Sequence, residues 1–492
     1  MPRSSRLLLV LICLVVALVA APAALATPGD LDPSFGSGGS VRLLITKEEA
    51  QSKAVTVQPD LKVVVAGFEK GNCVVVRLLP NGEPDPSFGS EGKVTTVFPG
   101  GVSGALAVTV QPDGKIVVAG TAAVAGNFDF FFARYLPGGA LDPGFGGGDG
   151  IETVPVGAEE DEARSVAVGP DGRIVAVGEA EVPVNENALA VVVLKADGTP
   201  DPSFGGDGSL VKETAAGDDR GVAGALLGDG SVLLGDENGG GGGEGFTLIK
   251  LLPGGGFDPG FGGGDGIVTT PIAGEPGMGG RIKDFALRPD GRIVASGYGY
   301  DKVASAPGYD EKYAAVGYLA NGELDPTFGE GGIFSHQVAP GDEAADAVEL
   351  TPDGKVLLAG FYYPEESNES TALLRLRPNG TLDPGFGSNG QALRGPAAPF
   401  GDVFEEAALD AEERLVTVST AYIGNETTAV EVSRYLGDPR PPKAIPISSP
   451  APATINKPAH AKMKPVPKKV RTGKLKGFFG SASDPDGNSV QK

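Results

Sequence analysis

Histidine and tryptophan are nearly missing from this chain: His336 and His460 are the only histidines in 492 residues, and tryptophan does not occur. That scarcity excludes His-rich metal centres and repeated His-based acid–base schemes. It also removes a tryptophan-lined cofactor ring. His336 follows a strand-like stretch in one unit only, without a nucleophile-elbow sequence, so a packing or surface histidine is expected. Cysteine is equally sparse. Cys13 lies in an N-terminal apolar run, and its removal leaves Cys73 with no intramolecular partner. Cys73 opens the apolar run Cys73-Val74-Val75-Val76, where a buried structural thiol is expected rather than a nucleophile. Stability must come from packing.

Long apolar runs are confined to the start. Arg3 and Arg6 precede the apolar stretch Leu7 to Ala20, and Ala24-Leu25-Ala26 supplies a small-x-small exit. Residues 1–26 therefore read as a secretory signal, since the apolar core is shorter than the roughly 20 residues a bilayer span needs. Ile12 before Cys13 argues against lipoprotein-type attachment. No transmembrane segment is expected in the mature chain, which is read as secreted or held at the cell surface.

Basic residues are scarce in the body. Residues 27–438 carry 61 acidic against 27 basic side chains, whereas residues 439–492 carry 11 basic against 2 acidic. Phosphates would be repelled by such a body, so nucleic acid and anionic membranes are disfavoured as partners. Apolar residues still make up 41% of the chain, enough for burial on a large scale.

What the chain has in abundance is glycine, 78 residues of it, clustered at recurring turns. The pattern Asp-Pro-(Ser/Thr/Gly)-Phe-Gly returns seven times, with its phenylalanines at Phe35, Phe88, Phe145, Phe204, Phe261, Phe328 and Phe386, at intervals of 53, 57, 59, 57, 67 and 58 residues. A period of that size signals similar supersecondary units that bury their apolar faces only against one another. In the second unit the β-branched run Lys93–Val97 reads as a strand, followed by Ala105–Val110, Lys115–Gly120 and Phe130–Leu136. Asp113-Gly114 is a tight-turn signal, repeated as Asp171-Gly172, Asp229-Gly230, Asp290-Gly291 and Asp353-Gly354. The first and last units lose it at Asp60-Leu61 and Ala411-Glu412. A second turn recurs as Asn81-Gly82, Asp197-Gly198, Asn321-Gly322 and Asn379-Gly380.

Four short antiparallel strands per unit, with no helical periodicity, predict an all-β fold: a seven-bladed β-propeller of four-stranded antiparallel blades, followed by a disordered Pro/Lys-rich tail. The units span about 31–83, 84–140, 141–199, 200–256, 257–323, 324–381 and 382–437. Blades can be offset from units, with Val41–Ile45 completing the last blade. The extra length of the fifth unit is placed near Tyr298 to Pro307, and Gly239–Gly243 reads as loop filler. The segments Leu31–Gly36, Val110–Gly120 and Arg375–Gly387 resemble the bacterial delta-60 repeat β-propeller family. The resemblance covers about 31–437 and implies a propeller in an exported or surface protein, with no activity to carry over.

The motif could hold a ligand seven times, but a structural role is expected: Asp and Pro fix a turn, Phe packs between blades, and Gly allows a tight exit. Asp149, Asp207 and Asp265 in Gly-Gly-x-Asp-Gly stretches invite a calcium reading. Each stretch supplies one carboxylate, so turn formation is the expectation and no cofactor or metal site is assigned. Arg77, Arg134, Lys250, Arg375 and Arg434 precede the second turn, whereas Val193 and Gly317 break the series. Local salt bridges are expected there rather than an anion site. No catalytic residue is assigned.

Residues 439–476 form a Pro/Lys-rich linker, whose Lys462, Lys464, Lys468, Lys469, Arg471, Lys474 and Lys476 are expected to keep it soluble, the alternatives being anionic wall polymers or the chain's own acidic body. Residues 477–492 look like the incomplete start of a bacterial Ig-like domain. The reading is a non-catalytic binding or scaffold propeller with a protein or glycan partner. The alternatives are a secreted hydrolase or lyase using carboxylates near the channel, and a structural spacer of a surface fibre.

Overall fold

The computed structural model describes residues 26–43, 50–182, 186–214, 218–237, 245–272, 279–302, 309–364, 368–395, 401–424 and 427–439. Residues 1–25 of the expected signal 1–26, the glycine run 239–243, residues 303–308 of the fifth unit, and the expected linker and Ig-like start from residue 440 onward lie outside them. Among the described residues, no helix is long and apolar enough to cross a membrane.

Seven four-stranded antiparallel sheets make up the body. Blade 1 consists of Ala50–Val57, Val63–Glu69, Asn72–Leu78 and Lys93–Thr96, each hydrogen-bonded to the next. Three of these strands come from the first repeat unit and the outermost from the second. The same offset runs through the chain, so the seventh blade must borrow its outer strand from the N-terminus. Ser40–Leu43 pairs antiparallel with Thr427–Tyr435, with Val41 opposite Val432 and Leu43 opposite Val430. The first strands of successive blades touch one another around the ring, that of blade 7 meeting that of blade 1. The circle is closed, and each lateral sheet edge left over is four residues long.

The core is a set of seams between blades. Phe88 packs with Val75 and Ala66 of blade 1 and with Ala105, Val118 and Phe131 of blade 2. Phe35 does the same between blades 7 and 1, against Val76 and Val432. All seven motif phenylalanines are at most 2% exposed. Cys73 is buried in the same seam as Phe88, its Sγ 3.7 Å from the Tyr135 hydroxyl, and burial pushes its thiol up to about 12. The structural thiol expected there is what the seam contains.

The first hairpin of each blade keeps one turn geometry even where its sequence does not. In blade 2, Gly114 sits at φ +81°, its N–H donating to the Gln111 carbonyl at 2.8 Å. Leu61 and Glu413 occupy the same place in blades 1 and 7 at φ +68° and +61°, donating to Gln58 and Asp410. Ala411-Glu412 does not replace the turn, as its sequence suggests. The backbone there adopts a conformation that costs a non-glycine residue roughly 1–2 kcal/mol.

Candidate interaction face and central channel

The two ends of the ring are built differently. One carries the Asp-Gly hairpins and the Asp-Pro-x-Phe-Gly motifs, and every motif there is tied to its own blade. Asp85 Oδ1 accepts from the Ser87 amide at 2.9 Å and its hydroxyl at 2.7 Å, while Oδ2 accepts from Arg77 Nε at 2.8 Å. The Arg77 guanidinium lies 4.5 Å above the Phe88 ring centroid. Arg134, Arg375 and Arg434 repeat both contacts, and Lys250 pairs with Asp258 at 3.0 Å. Burial raises Asp85, but the Ser87 hydroxyl and amide and the Arg77 charge outweigh it and pull the carboxyl down to about 2. The cations that precede the second turn thus serve local ion pairs.

Where that series breaks, a different arginine restores the pair. Blade 3 has Val193, and Arg173 from the first hairpin reaches Asp201 at 3.4 Å. Blade 5 has Gly317, and Arg292 reaches Asp325 at 3.1 Å. The Phe328 ring closes onto Gly317, where an added Cβ would stand 2.7 Å from the Phe328 Cβ. The residue after the Asp-Gly turn reads Lys62, Lys115 and Lys355 in blades 1, 2 and 6 but Arg173 and Arg292 in these two. That switch was the available sequence signal, although Arg414 in blade 7 supplements Arg434 instead of replacing it.

Asp149, Asp207 and Asp265 are exposed, and each closes its own turn by accepting the amide two residues on, at 3.0, 2.9 and 3.1 Å. His336 lies in the outer strand of blade 5, stacked on Phe334 and 2.7 Å from the Gln391 amide nitrogen of blade 6. Burial lowers its pKa.

The other end of the ring carries the connections between blades, and from there the channel descends between the seven first strands. Each of these strands contains a β-bulge at the same place, which re-aims one side chain out of the pleat. The seven bulged residues are Lys53, Leu106, Arg164, Val222, Lys283, Asp346 and Glu405. Unlike the motifs, they share no chemistry. Lys53 of blade 1 joins Glu405 of blade 7 at 3.0 Å, and Arg164 joins Glu162 and Glu179 at 2.9 Å each. Arg220 reaches back to Glu179 at 2.7 Å, and Lys283 and Arg281 reach back to Glu237 at 3.0 and 3.3 Å. Burial, the largest cause, pushes Asp346 up to about 7, with Lys283 opposing it and Glu369 and Glu237 adding to it.

Deeper along the same strands, blades 5, 6 and 7 contribute Asp284, Glu349 and Glu406. Burial and the Asp284 charge push Glu349 up to about 7 and raise Glu406 well above the usual range. Each of these carboxyls is engaged with the main chain through at least one oxygen. Asp284 accepts from Phe285 at 2.7 Å and from Val348 of the next blade at 2.9 Å, and Glu349 accepts from Leu409 of the next blade at 3.2 Å. Glu406 accepts from Ala407 at 2.9 Å. A carboxylic acid beside a carboxylate has the elements of acid–base work; here Asp284 and Glu349 also stitch the open amide edges of adjacent inner strands, whereas Glu406 bonds within its own strand. Ser165 does the same for Gly224 at 3.2 Å.

Four segments, residues 58–88, 111–145, 169–204 and 351–386, match a family model described as a domain of unknown function (DUF5122) beta-propeller. They are propeller repeats. Comparison with curated proteins finds no match. Among solved structures, virginiamycin B lyase from Staphylococcus aureus aligns over 81% of this chain and 98% of its own, at 12% identity and a TM-score of 0.46. Polysaccharide lyase Uly1 aligns over 81% and 99%, at 10% identity and 0.43. Sqt1 from Chaetomium thermophilum aligns over 84% and 87%, at 14% identity and 0.38. Likenesses this distant carry no argument about chemistry.

Proposed function

We propose that the chain is an exported, non-catalytic propeller that binds a protein or glycan partner at the channel mouth and the inter-blade connections around it. The observation that carries this is the contrast between the two ends. Seven motifs repeat one internal tie, which is architecture, whereas the seven bulge positions present lysine, arginine, leucine, valine, aspartate and glutamate in one ring. Unequal side chains at equivalent positions are what a rigid scaffold displays when a specific surface is read. The resemblance to the delta-60 repeat family belongs to this proposal, as do the signal peptide and the surface location.

The test is capture from cell-wall glycans and surface proteins by residues 27–492. Replacing Lys53, Arg164 and Lys283 together by alanine is expected to abolish capture while the fold persists. Unchanged capture would overturn the reading.

A second reading, a hydrolase or lyase, is favoured by the raised carboxyls of Glu349 and Glu406 in the channel. Turnover of a polysaccharide that Glu406→Gln abolishes would establish it and displace the first.

A further inference from the structure

The ring is closed by two segments distant in the chain, and this makes one of its seven turns unlike the rest. In blade 1 the connection to the outer strand is continuous: Leu79 N–H donates to the Glu83 carbonyl at 2.7 Å, and Gly82 N–H donates to the Leu79 carbonyl at 2.8 Å. The Asn81 carbonyl then accepts from Gly36, the motif glycine of the neighbouring blade, at 2.8 Å. Gly329 to Asn379 and Gly262 to Asn321 repeat that inter-blade bond, at 2.8 and 3.0 Å.

In blade 7 the same turn is split. Leu436 N–H donates to the Asp30 carbonyl, Gly29 N–H donates to the Leu436 carbonyl, and the Pro28 carbonyl accepts from Gly387, all at 2.8 Å. Thr27-Pro28-Gly29-Asp30 therefore stands where Pro80-Asn81-Gly82-Glu83 stands in blade 1, and Leu436 stands where Leu79 does. The place of a residue preceding Thr27 is filled by Leu436, so any covalent predecessor has to leave the turn. The Thr27 nitrogen is 2.7 Å from Asp30 Oδ2, and its hydroxyl is 2.9 Å from the same oxygen. The other half of the split turn is also used. Asp438 takes Arg375 Nη1 at 2.9 Å, where the matching arginine of blade 7, Arg434, donates to the Pro80 carbonyl at 2.7 Å.

We propose that the Ala26–Thr27 peptide bond is a processing site, and that the freed Thr27 ammonium, held by Asp30, completes the seventh turn. The inference rests on the leader read from Ala24-Leu25-Ala26, and so on the export part of the proposed function, but not on partner binding. Hydrolysis by an export-leader peptidase consumes one water. Ala26 departs as the carboxylate end of the leader, and Thr27 keeps the nitrogen, which is protonated at neutral pH. The Asp30 contact then becomes charge-assisted. A cut beyond Pro28 would remove the carbonyl that Gly387 needs.

Two measurements test this. Intact mass and N-terminal sequencing of the full chain exported by a bacterial host should show a start at Thr27; any other start overturns the site. Chains beginning at Thr27 and at Ala24, each with and without Asp30→Asn, are then melted. Asp30→Asn is expected to lower Tm by about 1–2 °C in the Thr27 chain and by less than half of that in the Ala24 chain. Equal shifts in the two backgrounds would overturn the ammonium pairing.

Discussion

Arg173 Nη1 lies 3.4 Å from Asp201 Oδ2, and so supplies to blade 3, from the first hairpin turn, the ion pair that Arg134 supplies to blade 2 from a strand. The motif aspartate is the fixed requirement, and the source of its cation is free to move. A blade that lost both cations would leave a largely buried carboxylate unpaired.

Substitution can separate the two arrangements. Arg173→Ala is expected to destabilise the protein more than Lys115→Ala, by roughly 1 kcal/mol, because Arg134 still holds Asp142 in the second case. Urea unfolding of the two variants reads the difference. Equal losses would mean that Arg173 contributes nothing to Asp201.

The motif phenylalanines are seam residues, so truncating one opens a cavity between two blades. Phe204, 1% exposed, sits among Val175, Val191, Leu234 and Ile249 from blades 3 and 4. Phe204→Ala is expected to cost about 3–5 kcal/mol in unfolding free energy. A loss below the error of measurement would remove the seam role.

Leu61 holds the turn at φ +68° without being glycine. Leu61→Gly is expected to stabilise the fold by about 0.5–1 kcal/mol, since relief of the left-handed strain is partly offset by the greater freedom of glycine in the unfolded chain. A lowered Tm would show that the Leu61 side chain matters more than its backbone.

Two sets of carboxyls bound the pH range of stability. Asp346 and Glu349 are raised to about 7, and Glu406 is raised as well, so the folded state holds protons that the unfolded chain releases near 4. Their contribution is fully present below about pH 4 and is lost as pH rises through about 7. Asp85, lowered to about 2, contributes in the opposite sense, fully above about pH 4 and lost as pH falls through about 2. Thermal melts should therefore show Tm falling between about pH 5 and 8, and Glu406→Gln should flatten that decline. A Tm rising across this window would contradict the buried, protonated channel.

The sequence displayed the blade count, the strand pattern and the turn glycines because those features recur in register, and recurrence is visible without coordinates. The channel was hidden for the opposite reason. A bulge inserts one residue into the alternation, so Lys53, Arg164 and Asp346 read as ordinary members of a strand until the pairing is known. Asp284, Glu349 and Glu406 come from three blades and have no sequence proximity to betray them. The split turn is not legible in the sequence because Leu436 and Thr27 are joined only in space.

The central claim is that the first strand completes the last blade, and a crosslink tests it most directly. Val41→Cys with Val432→Cys replaces two residues that face each other across the closing sheet. Under mild oxidation the double variant should form an intramolecular disulfide, without intermolecular crosslinks, and gain thermal stability. Disulfides formed only between molecules, or none at all, would contradict the closed ring.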